Sequence, residues 1–349
     1  MKIGEKTIGN GRTYIVAELS GNHNNSFDLA VETVRAVAKA GADAIKLQTY
    51  TPDTMTLNLE KPEFMTRASG PWAGQALYSL YQKAYMPWEW QAPLQTVARA
   101  AGLDLFSTPF DFTAVDFLAG LAVPAYKIAS YEITDIPLIE HVARQNRPVI
   151  ISTGIADESD LSLALEACFR AGNSDVILLK CTSEYPTPPE EANLSAIPLM
   201  RDRFGVLVGL SDHTLGMTLP IASVGLGIAM LEKHVILDRS LGGVDSTFSL
   251  DVNELREMVE AVRYVEKAMG SPSLMRSPKI EEEARNSSRS LYVARSVIKG
   301  EWITPENLRS VRPGHGLHPK YYHSLIGKRF SRNAEVGTPM SFSLVERED

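Results

Sequence analysis

The chain has 349 residues, 44% of them hydrophobic and 22% charged, with a formal net charge of −7. That is enough apolar material for one large core and one small one. The acidic balance, with no long run of Lys or Arg, argues against a nucleic acid partner. Of the two cysteines, Cys181 falls in an expected buried strand, so Cys168 and Cys181 are read as reduced thiols. The opening Met1-Lys2-Ile3-Gly4-Glu5 lacks the apolar centre of a signal peptide, and no apolar run reaches about eighteen residues, so a cytoplasmic enzyme or binding protein is expected.

In chain order, apolar runs predict strands at Tyr14–Leu19, Ala44–Leu47, Leu103–Phe106, Ala125–Ile128, Val149–Ile151, Val176–Leu179, Val206–Leu210 and Ile228–Leu231. Most are separated by helical patterns, such as Leu29, Val31, Val34, Val37 and Ala38 ahead of the helix-stopping Gly41. Strands alternating with helices over roughly 250 residues predict a closed parallel (β/α)8 TIM barrel, here residues 1–270. The mixture of Pro, Ser and charge in Ser271–Glu283 predicts a linker over 271–284. Short apolar pieces separated by turns then predict a small second domain over 285–349, too short to be more than marginally stable alone.

Polar residues gather where each strand is expected to end, and a TIM barrel carries its active site at that face. They are Glu18 with Asn22 and His23, Lys46 and Gln48, Thr108, Lys127 with Ser130 and Glu132, Ser152, Ser183 with Tyr185, Ser211 with His213, and His234. Lys46 and Lys127, with the hydroxyls of Thr108, Ser130, Ser152 and Ser211, suit a phosphate plus a carboxylate, because ammonium groups supply charge and hydroxyls supply oriented donors. Neither a Walker loop nor a Rossmann glycine fingerprint is present, so the anion is expected to be a small phosphorylated metabolite. Glu18 and Glu132 could act as acid or base, or pair with the lysines. His213 and His234 each close an apolar run. Two such imidazoles can share a divalent cation with positions left open for water and substrate, although two histidines can equally be satisfied by hydrogen bonds.

These residues carry a resemblance. The strings Ala17-Glu18-Leu19-Ser20-Gly21-Asn22-His23, Ala44-Ile45-Lys46-Leu47-Gln48-Thr49, Ser107-Thr108-Pro109-Phe110, Ala125-Tyr126-Lys127-Ile128-Ala129-Ser130, Ser152-Thr153-Gly154, Lys180-Cys181-Thr182-Ser183, Tyr185-Pro186-Thr187 and Gly209-Leu210-Ser211-Asp212-His213 look like the sialic acid synthase family nearly end to end. The resemblance implies condensation of phosphoenolpyruvate with an open-chain acylamino sugar to a nonulosonic acid, with a manganese or magnesium ion on His213 and His234. It places Asp245 near metal or sugar, and leaves His23 to shape the first loop.

Leu80–Trp90 and Val311–Lys320 resemble the pseudaminic acid branch of that family more than the neuraminic one, and Glu184 stands where neuraminate synthases carry Asn before the Tyr-Pro pair. Tyr81, Tyr85 and Trp88 are spaced to share a helix face, which serves either core packing or an apolar wall for such a sugar. The tail resembles an antifreeze-like (SAF) domain, which implies a homodimer whose Arg312 reaches the acylamino group in the partner's site. A sibling enzyme making a shorter keto acid would not need this tail, and a sugar-acid binding module would not need both lysines and both histidines.

Overall fold

The computed structural model describes residues 1–68, 70–271 and 273–347 and divides into two compact units, Met1–Gly270 and Ser271–Asp349. The first is a parallel barrel of strands β1 (Tyr14–Glu18), β2 (Ala44–Thr49), β3 (Asp104–Pro109), β4 (Tyr126–Ile128), β5 (Val149–Ser152), β6 (Val176–Cys181), β7 (Leu207–Asp212) and β8 (Met230–Ile236). Each pairs in parallel with the next, and β8 closes the ring on β1, with His234 level with Glu18. An extra short strand, Leu250–Asp251, lines up beyond Val235 and Ile236.

The strands read as near-continuous apolar runs because both of their faces are covered: by one another's side chains inside and by helices outside. Ile177, Leu178 and Leu179 of β6 are fully buried. The helix Phe27–Ala40 starts where the Ser26 hydroxyl accepts from the Leu29 amide and stops at Gly41, left-handed at φ 88°, as the pattern predicts. It buries Val34 and Val37 and packs against the helix Val252–Met269, whose Asp251–Glu254 capping box fixes its start. Gly209 in β7 is required by close approach. A Cβ there would stand 2.3 Å from the Met230 carbonyl oxygen of β8 and 2.6 Å from Leu179 Cδ2 of β6.

Two differences from the sequence reading matter for function. First, β2, β3, β7 and β8 run further than their apolar cores, so Gln48, Thr108, Ser211 and His234 lie inside strands and not after them. A barrel-facing position near a strand's C-terminal end opens on the mouth, so it can be polar without ending the ladder. Second, Tyr81, Tyr85 and Trp88 do not share one helix. Leu77–Ala84 ends before Tyr85, and a separate turn, Trp88–Trp90, follows. Pro87 interrupts the pattern.

In the second unit, Ser290–Val293 pairs antiparallel with Leu308–Val311 over a core of Leu291, Val293, Ile303, Leu308, Phe330, Met340 and Leu344. Pro278–Ser287, inside the segment read as a linker, is a helix: Ser277 caps it and Pro278 takes its first turn, but it buries no residue, so no apolar stripe betrays it in the sequence. Arg312 is exposed just after Leu308–Val311. Both cysteines are free and buried. No helix among the described residues is long and apolar enough to cross a membrane.

Candidate active site

At the C-terminal end of the barrel a buried set of charges is assembled by strand register. Glu18 sits level with Lys46, and Lys46 Nζ lies 3.0 Å from Glu18 Oε2, 3.1 Å from Glu232 Oε1 and 3.3 Å from Thr108 Oγ1. Lys127 Nζ approaches the same Glu232 oxygen at 3.5 Å, and the Ser211 hydroxyl donates to it at 3.2 Å. Gln48 Nε2 donates to Glu18 Oε1 at 3.1 Å. One carboxylate oxygen therefore joins both lysines.

Their ionisation follows from this crowding. Burial would raise the Glu232 carboxyl, but Lys127 and Lys46 outweigh it and hold it at about 2. Burial pushes Glu18 up to about 7 even beside Lys46. Burial likewise pulls the Lys127 ammonium below the ordinary lysine value, and it pushes Glu132 up to about 7. Two lysines are thus held ready by one ionised carboxylate, with two more carboxyls that change protonation near neutrality.

A second arc is made of hydroxyls. Ser130 Oγ accepts from the Gly154 amide at 3.1 Å. A Cβ on Gly154 would fall 2.1 Å from Ser183 Oγ and 2.8 Å from Ser130 Oγ, so the three residues converge on one small cradle. Ser152 Oγ, Ser183 Oγ, Glu132 Oε2, Glu232 Oε2 and His234 Nδ1 are buried without a hydrogen-bond partner. Such groups are costly unless something pairs with them, which marks this end of the barrel as a place for polar ligands.

The histidines stand beside this pocket, ring centroids 5.3 Å apart. His213 Nδ1 donates to the Thr182 carbonyl at 2.9 Å, which orients the ring, and although burial opposes it, Cys181 and this bond raise its pKa above the ordinary histidine value. Burial, reinforced by the neighbouring His213, holds His234 well below the ordinary histidine value, so it is neutral at pH 7. His234 Nδ1 lies 3.6 Å from Asp245 Oδ2. Two adjacent imidazoles, one oriented by a carbonyl and the other with Asp245 beside it, fit a divalent ion of open coordination once it displaces any ring proton. Among the described residues no group of three or more His, Cys, Asp or Glu is arranged to hold one.

Asn22 fixes Asp245: its oxygen accepts from the Asp245 amide at 3.2 Å, while its Nδ2 donates to the Val235 carbonyl and to Ser249 Oγ, each at 2.9 Å. His23 is a core residue. Its Nδ1 accepts from the Asn25 amide at 3.1 Å and its ring meets the edge of Trp90.

The aromatic wall by the histidines is not the one expected. Tyr185 lies 4.2 Å from His213 between ring centroids, Phe248 lies 5.0 Å from His234, and Trp72 leans on both Tyr185 and Phe248. Trp72 Nε1 donates to the Val244 carbonyl at 2.9 Å. Trp88 instead packs on Phe117, and Tyr81 on Tyr50. Glu232 escaped the sequence reading, although a period of two from His234 puts it on the same barrel face. Trp72 and Phe248 carry no local signal that would have revealed them.

Residues 33–273 match the NeuB family and residues 288–346 the SAF domain. The chain is 45% identical to pseudaminic acid synthase of Helicobacter pylori, over 95% of this chain and 98% of that one. It is 44% identical to pseudaminic acid synthase of Campylobacter jejuni, over 95% and 97%. The crystal structure of spore coat polysaccharide biosynthesis protein spsE of Bacillus subtilis shares 34% identity, covers 100% of this chain and 99% of its own, and superposes with a TM-score of 0.67. The buried lysine pair, the hydroxyl cradle and the two histidines occupy the barrel of a chain that belongs to the NeuB family, with a SAF domain after it.

Proposed function

We propose that this chain is a pseudaminic acid synthase, condensing phosphoenolpyruvate with 2,4-diacetamido-2,4,6-trideoxy-L-altrose to give a nonulosonic acid and phosphate. The observation that carries the reading is the likeness to named pseudaminic acid synthases over nearly the whole of both chains. The pocket supports it chemically. Lys46 and Lys127 sit close enough together to hold the carboxylate and phosphate of one small substrate, and Thr108, Ser130, Ser152, Ser183 and Ser211 supply neutral donors around them.

The methylene carbon of phosphoenolpyruvate forms the C–C bond to the sugar aldehyde, water adds at the adjacent phosphate-bearing carbon, and phosphate leaves from that carbon by C–O cleavage. Glu18 and Glu132, pushed up to about 7, give and take protons at neutral pH. His213 and His234 would hold a manganese or magnesium ion, which supplies Lewis-acid polarisation of the aldehyde oxygen when bound. Asp245 and Tyr185 stand beside the histidines to receive the sugar. The enzyme works as a homodimer in which Arg312 serves the partner's sugar.

Trp72, Tyr185 and Phe248 give the sugar side an apolar wall. A sugar bearing a methyl group fits it, whereas an extra hydroxyl buried there without a partner costs about 1–3 kcal/mol, roughly ten- to hundredfold in specificity. Phosphate release measured with the diacetamido altrose sugar and with N-acetylmannosamine tests this. The altrose sugar is expected to have the larger kcat/KM by that margin, and a ratio near one, or in favour of mannosamine, overturns the assignment.

A further inference from the structure

Lys233 lies between the two inward-facing residues Glu232 and His234 and so points to the other side of β8. It is completely buried. Its Nζ is 2.5 Å from Asp212 Oδ2 and also donates to the Thr214 carbonyl. Asp212 in turn accepts from Thr214 Oγ1 at 3.0 Å and from the Thr214 amide at 3.3 Å. Lys233 is level with Asp212 in the ladder.

The ammonium is thus fastened to the residues on both sides of His213, and its own backbone carries His234 as the next residue. Strand pairing alone fixes β7 only as far as Asp212, where the strand ends. Beyond it, the His213 backbone is held by these side-chain bonds and by the bond from the Thr187 amide to the His213 carbonyl. A buried ammonium is expensive without full pairing, and an apolar residue would serve the outer packing at lower cost. Its position across the two histidines gives it a use that packing does not explain.

We propose that Lys233, with Asp212, is a positioning residue that sets the spacing and orientation of the His213–His234 pair, and through them the affinity for a divalent cation. This rests on the reading that the two histidines hold the metal. Removing groups that orient metal ligands costs 10- to 100-fold in affinity in general, and that range is expected here.

The test is Mn2+ binding to the full-length, metal-stripped protein without substrate, followed by the electron paramagnetic resonance signal of free Mn2+. Lys233→Met is expected to weaken binding 10- to 100-fold, and Lys233→Arg, which keeps the charge, to recover about tenfold over it. Should Lys233→Met fail to fold, Asp212→Asn with Lys233→Met removes both charges together, leaves no unpaired ion, and is expected to show the same loss. A folded variant of either kind with wild-type Mn2+ affinity overturns the proposal. His213→Ala with His234→Ala separates the two readings. If that variant loses Mn2+ binding while the Lys233 variants keep it, only the positioning role falls. If it binds Mn2+ as the wild type does, the metal reading fails and the positioning role with it.

Discussion

Glu232 neutralises both lysines while the pocket holds no anion, and replacing it by Gln isolates that contribution. At 3.1 Å and an effective dielectric of about 20, its attraction to Lys46 is roughly 5 kcal/mol before desolvation, and Lys127 at 3.5 Å adds a similar amount. Most of this is offset by desolvation of the ions, so the net cost of removing one partner of a buried pair, about 3–5 kcal/mol, is the better guide. Lys46 keeps Glu18, so the loss falls on Lys127, which has no other carboxylate within 4 Å among the described residues.

For a unit of this size each kcal/mol moves Tm by about 2–4 °C, so Glu232→Gln should melt on the order of 10 °C lower. Phosphoenolpyruvate supplies the missing negative charge, so it should raise Tm more in the variant than in the wild type and narrow the gap. The sign with pH follows from a carboxyl held at about 2 against an unperturbed 4.5. Its stabilisation is fully present above pH 4.5 and fades as pH falls towards 2, so the gap should be constant from pH 5 to 8 and close below 4.5. Thermal melts across pH and phosphoenolpyruvate concentration measure both. A gap that ignores phosphoenolpyruvate, or no gap at all, refutes the idea that Glu232 holds the place of the substrate's charge.

Glu132, raised from 4.5 to about 7 by burial, has the opposite pH sign. Its favourable state is protonated, present below pH 4.5 and lost as pH rises through 7. Glu132→Gln should therefore match the wild type at pH 4.5 and exceed it by about 3 kcal/mol at pH 8; a denaturation difference that does not change between those pH values counts against it. Gly154→Ala puts a methyl group on Ser183 and Ser130 and should raise KM for phosphoenolpyruvate at least about tenfold through lost hydroxyl contacts. An unchanged KM in steady-state assays would show that the cradle is not where the anion sits.

What could be read from the sequence was whatever has a period or a local signature. Buried parallel strands are apolar throughout, so β5 and β6 are legible to within one and two residues of their ends. The polar residues clustered at the strand ends gave Lys46, Lys127, Ser130, His213 and His234, because a barrel gathers such ends at one mouth. The same apolar criterion then failed at those ends. It ended the second and last strands at Leu47 and Leu231, so Gln48 and His234 fell outside them, although the ladder continues through both. Glu232 was lost for a related reason. Within Leu231-Glu232-Lys233-His234 only the two-residue alternation separates Glu232, which faces the mouth, from Lys233, which faces away. The aromatic wall was beyond reach altogether. Trp72, Tyr185 and Phe248 come from three different loops, and nothing in the spacing of Tyr81, Tyr85 and Trp88 reveals that the helix stops before Tyr85 and that Trp88 packs on Phe117. Local sequence determines which residues line a barrel's mouth, while long-range loop packing determines which aromatics close over it, and substrate choice depends on the second.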